Sequence, residues 1–303
     1  MSATNATSDA PAPAPNTVSD RARAEARQQR NERFRLLLRK PSFIVGSVIS
    51  IFWIVCAFFG SAIAPQDPFV QDPINKLQEP SGAHWFGTDN LGRDVFSRVI
   101  VGARLIVLVA LGATIIASIC GTAIGLLAGY FKGTVDEVLM RTLDVFMSIP
   151  TIVLALLITS SVDSKSMWIV MGIIALVFTP VIARTARASA LGETELDYVA
   201  AARLRTEKTP HILIKEVLPN ILPALLVEFT VRLGYAVFAI ATLSFLGAGV
   251  SPESPDWGTQ VATHRGFLNG LNVSATLFPA MAIATLSIGV NLLQDALTEA
   301  FER

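Results

Sequence analysis

The sequence predicts an all-α, polytopic membrane protein with six transmembrane helices, and three observations predict it. Hydrophobic residues make up 52% of the 303-residue chain and charged residues only 16%, with a mean hydropathy of +0.53. That is more apolar surface than a soluble globule of this length buries. Six apolar runs, 43–64, 102–131, 138–159, 167–183, 221–245 and 275–297, approach the about 20 residues a helix needs to cross a hydrocarbon core ~30 Å thick. The 24 basic and 24 acidic residues gather at the chain ends and in two loops. They leave no net field that would attract nucleic acid.

Taken in order, residues 1–40 form a tail. Its first 19 positions are mostly Ala, Pro, Ser, Thr and Asn, with too little apolar bulk to offset the entropy of ordering, so disorder is expected. Arg21, Arg23, Arg27, Arg30, Arg33, Arg35, Arg39 and Lys40 stand directly before the first run. By the positive-inside tendency this end is cytoplasmic. The first run is too long, and begins too late, for a signal-peptide core of ~7–15 residues, so it reads as an uncleaved helix. Residues 41–101 are therefore the first transmembrane helix and its outer loop, and 102–303 a five-helix core containing the inner loop 184–220.

In the second run Ala117, Gly121, Gly125, Gly129 and Gly133 recur every four residues, a stripe against which another backbone packs closely. That backbone belongs either to this chain or to a partner. Pro150 in the third run removes an internal hydrogen bond and kinks the helix, for bundle shape or for gating. The fourth run is short, with Pro180 near its inner end. Glu228 and Arg232 in the fifth lie four apart on one face, where pairing offsets the cost of ionisable groups in a membrane. Asp144 is placed near the inner end of the third. Loop charges agree with the topology: 184–220 carries Arg184, Arg187, Arg203, Arg205, Lys208 and Lys215, whereas Arg265 is the only Lys or Arg in 246–274. The first outer loop, with Lys76, Arg93 and Arg98, is less one-sided.

Cys56 and Cys120 sit inside apolar runs without a CxxC or a nearby His, which points to packing and to no metal site. His84, His211 and His264 fall in separate loops and read as solvated or capping residues. There is no GxxxxGK[ST] phosphate loop, HExxH or GxSxG, so the sequence offers no nucleotide site or catalytic set of its own. The two long outer loops contain Trp85, Phe86 and Trp257, expected to be exposed. They serve either a protein partner or the membrane surface.

The inner loop is the most informative stretch: DYVAAARLRTEKTPHILIKEVLPNILP from Asp197 to Pro223, a polar helix-turn-helix between two apolar spans. Ala201, Ala202, Leu218 and Pro219 fall on the Glu-Ala-Ala…Gly…Ile-x-Leu-Pro frame of the cytoplasmic coupling loop of ABC importer permeases, which this stretch resembles. Ala200, Thr206 and Glu216 stand where that frame has Glu, Gly and Ile. HWFGTDNLGRDVFSRVIVGAR from His84, DEVLMRTLDVFMSIP from Asp136 and LSFLGAGVSPESPDWG from Leu243 are similar to the dipeptide and oligopeptide branch, in particular its C-type subunit.

The resemblance implies a type I importer permease fold in a bacterial inner membrane, with both termini cytoplasmic. It also implies a second, homologous permease, two ATP-binding subunits that hold ATP and Mg, and an extracytoplasmic binding protein, with no cofactor in this chain. On it, Asp197, Tyr198, Ala200, Ala201, Ala202, Arg203, Arg205, Thr206, Leu218 and Pro219 couple to the ATPases, and Trp85, Asp89, Arg93 and Trp257 meet the binding protein. Losing Gly at 206 leads to the expectation that Thr206 caps the following helix, with the turn displaced downstream. Peptides are the expected cargo; nickel, glutathione or antimicrobial peptides, or a stand-alone ion-driven transporter using Glu228 and Arg232, are the alternatives.

Overall fold

The computed structural model describes residues 40–162, 166–251, 253–267 and 273–302, with side chains up to 300. The expected disordered tail lies outside the described residues. Among the described residues, the α-helices in order are α1 (Pro41–Ile63), α2 (Val95–Phe131), α3 (Gly133–Met147), α4 (Thr151–Ser160), α5 (Met167–Glu193), α6 (Asp197–Leu204), α7 (Thr209–Phe245), α8 (Trp257–His264) and α9 (Ser274–Glu302). Five of them are long and apolar enough to span a membrane on their own, α1, α2, α5, α7 and α9. The third expected span is divided between α3 and α4, which are bent by 80° at the Ser148–Pro150 break. Pro150 lacks the N–H that would continue the ladder and restricts the residue before it, so a break replaces the expected kink.

Side-chain caps fix where several helices begin. The Asp94 carboxylate accepts from Ser97 N at 2.8 Å, so the second span starts at Val95 rather than at 102. Asp256 does the same for α8 through Thr259 N at 2.8 Å. α1 buries one stripe, Gly46, Ser50, Trp53, Cys56, Ala57 and Gly60, and leaves Val48, Phe52, Phe58 and Phe59 exposed. In a bilayer that outer face meets lipid tails, whereas in water it would be an aggregation site. Cys56 is buried, but Cys120 is exposed, a departure from the packing role expected of both.

Small residues on α2 resolve the stripe in favour of this chain. A Cβ on Gly121 would lie 2.8 Å from Ile182 Cβ; on Gly125, 2.4 Å from Ala183 O; on Gly129, 2.8 Å from Ala190 Cβ. Gly133 meets nothing within 4 Å and has φ +54, so it belongs to a corner and not to the stripe. Because the numbers on α2 and α5 rise together, the two helices run parallel. The chain must therefore recross the bilayer between Phe131 and Met167, and α3 with α4 is the segment that does so. α1 and α9 are antiparallel: Gly46 faces Gly289 O and Trp53 Nε1 donates to Thr285 Oγ1 at 3.1 Å. Pro41, the end of α9, the corner after Phe131 and helix α6 consequently share one side of the membrane. The loop of 64–94 and α8 share the other.

Candidate functional site

On the α6 side, two faces of a short helix do different things. Val199 and Ala202 are fully buried and pack with Leu126, Ala186, Ala190, Ile212, Leu213 and Val217 into a second apolar core. Asp197, Ala200, Arg203, Leu204 and Arg205 are exposed, and Ala201 is half-buried. Ala202 thus corrects the expectation: it sits against α5 and α7 and has no surface to offer a partner. Leu204, 86% exposed, is a residue the sequence reading passed over. Its signal was a lone large aliphatic between two arginines in a polar loop.

The turn after α6 overturns the expected downstream shift. Thr206 N–H bonds Arg203 O at 2.9 Å and Glu207 N–H bonds Ala202 O at 3.3 Å, the pair of bonds that defines a Schellman cap. Thr206 occupies its left-handed position, with φ +56. Its hydroxyl donates to Arg205 O at 2.7 Å and caps nothing downstream; the next helix begins at Thr209 after Lys208, which contributes no side-chain cap. A β-branched residue pays a steric cost at that φ of about 1–2 kcal/mol, which Gly escapes.

Around this helix the contacts are polar and directional. Arg203 Cζ stands 4.7 Å above the Tyr130 ring, and Arg205 Nε donates to Glu207 Oε1 at 2.7 Å. Tyr198 donates to Glu193 Oε1 at 2.5 Å and accepts from Asn220 Nδ2 at 2.9 Å. Burial, with the Glu193 bond to its neutral form, pushes the Tyr198 hydroxyl up to about 12. Leu218 is half-buried beside this core and Pro219 is exposed. Just before them, Ile212–Val217 is π-helical, with Leu218 N–H reaching Leu213 O. The widened turn relieves the clash that Pro219 would make with the carbonyl four residues earlier.

On the opposite side, only one of the four expected outer contacts is accessible. Trp85 is 59% exposed, and the same loop carries other exposed apolar residues, Phe69, Val70 and Ile74. Trp257 is fully buried, edge-on to Trp53 at 4.7 Å, with Nε1 donating to Val99 O at 2.8 Å. Asp89 and Arg93 are buried too: Asp89 Oδ1 accepts from Leu91 N at 2.8 Å and Arg93 N at 2.9 Å, and Oδ2 from Arg93 Nε at 2.6 Å. These three shape the loop from within, because each satisfies groups that the loop would otherwise bury unpaired. Phe86, expected to be exposed, is half-buried and stacks on Phe278 at 3.7 Å.

The residues that tie this loop down were not given that role in the sequence. Arg98 is buried and donates to Pro68 O at 2.9 Å and Ser254 O at 3.1 Å, joining two loops. His264, expected to be solvated or capping, is 1% exposed. Its Nδ1 lies 2.7 Å from Gln260 O, and its Nε2 lies 3.0 Å from Asn90 Oδ1 and 4.0 Å from Asp89. Burial holds its pKa below the ordinary 6.5, with Arg98 and Arg93 adding to the effect and Asp89 opposing it. Burial also raises Asp256 above the usual carboxylate range.

Within the membrane, Arg232 Nε donates to Glu228 Oε1 at 2.5 Å, and Thr185 Oγ1 lies 3.3 Å from Glu228 Oε2. The guanidinium also stands 5.1 Å over Tyr235 and 6.0 Å over Phe178. The pair is mutually neutralised and mostly buried at the α5–α7 crossing, the cheapest way to keep both charges in low dielectric.

Residues 121–303 match the family model described as a binding-protein-dependent transport system inner membrane component. Residues 29–80 match the N-terminal transmembrane domain of oligopeptide transport permease C. The chain is similar to the dipeptide transport system permease protein DppC of Alkalihalophilus pseudofirmus, 32% identical over 96% of this chain and 95% of that one. It is similar to the glutathione transport system permease protein GsiD of Pectobacterium atrosepticum, 32% identical over 272 residues, 89% of this chain and 90% of that one. In fold it is similar to a structure described as an inward-facing conformation of the MetNI methionine ABC transporter. The TM-score is 0.55 at 18% identity, covering 68% of this chain and 97% of the other.

Proposed function

Because the chain belongs to the binding-protein-dependent transport inner-membrane components, in the dipeptide and oligopeptide branch, we propose that it is the C-type permease of a peptide importer powered by separate ATPases. The observation that carries this reading is α6. It is an eight-residue helix standing on the inner ends of α5 and α7, anchored by Val199 and Ala202, with Leu204 exposed at its end. A rigid peg fixed on one face and free on the other is what a groove in a second protein can push.

In this reading Leu204, Ala200, Ala201, Arg205 and Thr206 enter the ATPase groove, while Asp197 and Arg203 lie at its rim. Tyr198, Ala202 and Leu218 hold the peg to α5 and α7, and Pro219 shapes the turn of α7 next to Leu218. ATP and Mg reside in the ATPases. The α6 side, with both chain ends, faces the cytoplasm, in keeping with Arg184, Arg187, Arg203, Arg205, Lys208 and Lys215 there. A second permease completes the pathway. Trp85, with Phe69, Val70 and Ile74 nearby in the chain, meets the binding protein. Peptides are the favoured cargo, and the glutathione-named relative keeps that tripeptide thiol within the range.

The test is to purify the importer intact and add its binding protein loaded with single candidate ligands. Stimulated ATP hydrolysis by short peptides, with uptake into proteoliposomes that persists when ion gradients are collapsed, is the expected result. Uptake that follows an ion gradient without ATP would replace this reading with a secondary transporter using Glu228 and Arg232.

A further inference from the structure

Helix α3 is attached to the rest of the chain in an unusual way. Of its 15 residues only Leu143 is buried, so little apolar packing holds it. Both its ends are sharp articulations. At one, Lys132 has φ +54 and ψ −167 and Gly133 has φ +54, two successive residues in conformations that L side chains avoid, which turn the chain from α2 into α3 with no intervening loop. At the other, Ser148–Ile149–Pro150 breaks the span by 80°.

Between these two joints, charge does what packing does not. Arg187 on α5 grips Asp136 with both Nε and Nη2, and one turn earlier on α5 Arg184 pairs with Asp144. Lys132 Nζ, at the joint itself, pairs with Glu195 at 3.0 Å, in the link from α5 to α6. Two-point attachment of a fork to a carboxylate fixes orientation as well as distance. The Asp136–Arg187 pair is also the more buried of the two clasps, with side chains 17% and 32% exposed against 53% and 49% for Asp144–Arg184, so it is less weakened by water.

We propose that Asp136, Asp144, Arg184 and Arg187 are positioning residues of the transport cycle, an ionic clasp that makes the hinged rod α3 follow α5 when α6 is pushed. The proposal rests on the coupling role of α6 given above. α5 runs within a few residues into α6, so a displacement of α6 reaches α5 directly. α3 is jointed at both ends and has one buried side chain, and it follows only as far as the clasp carries it. The exposed apolar face of α3 and α4, Val138, Val145, Ile152 and Val153 among it, travels with the rod.

The experiment uses the complete importer in proteoliposomes, with peptide uptake and ATP hydrolysis measured on the same vesicles. Asp136→Arg and Arg187→Asp are each expected to lower uptake by about tenfold, the size of coupling between charged groups in contact, while hydrolysis stays near the wild-type rate. The double exchange is expected to restore uptake. Equal loss of uptake and hydrolysis, wild-type uptake in the single variants, or a double exchange no better than either single would overturn the proposal.

Should the exchanges fail to insert, Asp136→Cys with Arg187→Cys, in a chain carrying Cys56→Ala and Cys120→Ala, decides it. Uptake is expected to be low before, and recovered after, joining the two thiols with a crosslinker of side-chain length. Uptake that the crosslink abolishes, or that is normal without it, counts against the clasp. If the wild-type importer shows no ATP hydrolysis stimulated by loaded binding protein, the proposed function falls instead, whatever these variants do.

Discussion

Thr206 carries a steric load that its neighbours on α6 do not, because the Schellman cap demands a left-handed residue and the sequence supplies a β-branched one. Thr206→Gly is therefore expected to stabilise the protein by about 0.5–1 kcal/mol, less what the freer unfolded chain takes back. The check is a rise in the unfolding temperature of the detergent-solubilised chain. A lower one would mean that the Thr206 hydroxyl contact to Arg205 O outweighs the strain. The sequence flagged this position by its departure from the family frame but misplaced the turn, since a Thr before a charged pair reads as a helix N-cap and φ is not written in residue type. His264 gives a pH dependence of definite sign. Its pKa is lowered in the folded state by burial, so just below 6.5 the unfolded outer segment binds more protons than the folded one. Stability of that segment rises with pH across this window and is lost as pH falls through it. Faster amide exchange in 66–94 at lower pH, corrected for intrinsic exchange and relieved by His264→Gln, is the expected result; pH-independent protection would remove the buried histidine from the explanation.

Helix α6 separates two effects that one motif in the sequence had merged. Ala201 and Ala202 are adjacent in the frame and look equivalent there, yet Ala202 is fully buried against Leu126 and Ile212 while Leu204 is 86% exposed. A charge at 202 has no partner in that core and costs several kcal/mol, so Ala202→Glu is expected to reduce the folded, inserted permease itself. Leu204→Glu leaves the core alone. It is expected to insert and melt like wild type but, on the proposed function, to lose ATPase binding and uptake, since a charge then replaces the aliphatic side chain that the helix presents. Co-purification of the ATPases with each variant, set beside the melting temperature, distinguishes the two. If Leu204→Glu assembles and transports normally, the exposed end of α6 is not what the ATPases grip. The helix itself was legible from its polar run between spans, whereas its orientation was not, because eight residues give barely two turns of periodicity. The third span was located and its bend at Pro150 expected, but a hydropathy run counts apolar residues and does not give the bend's size, 80°.

At the scale of the whole molecule, topology follows from packing contacts that no hydropathy window contains. The Gly121, Gly125 and Gly129 contacts run in register with Ile182, Ala183 and Ala190 and make α2 and α5 parallel, which obliges the broken segment α3–α4 to cross. The antiparallel fit of α1 on α9 then brings both ends of the described chain to the α6 side. The sequence reached the same six crossings by counting apolar runs, and it assigned the α6 side to the cytoplasm by charge alone. Basic residues support that assignment because their translocation is disfavoured, and six of them lie in 184–220 against one in 246–274. The outer segment 65–101 is the weak point of that charge rule, since it holds Lys76, Arg93 and Arg98. Two of these are buried, however, Arg93 on Asp89 and Arg98 on loop carbonyls, so they are satisfied within the fold and not by a membrane surface. A Cys placed at the open position Gly82, which meets nothing within 4 Å, is expected to react with a membrane-impermeant thiol reagent from outside the inner membrane. Leu204→Cys is expected to react only after the cytoplasmic face is opened, with native Cys120 as the lipid-facing control. The reverse pattern would invert the protein in the membrane and put α6 beyond the reach of any cytoplasmic ATPase. Labelling of both positions from one side would instead break the crossing by α3–α4 that the parallel pair requires.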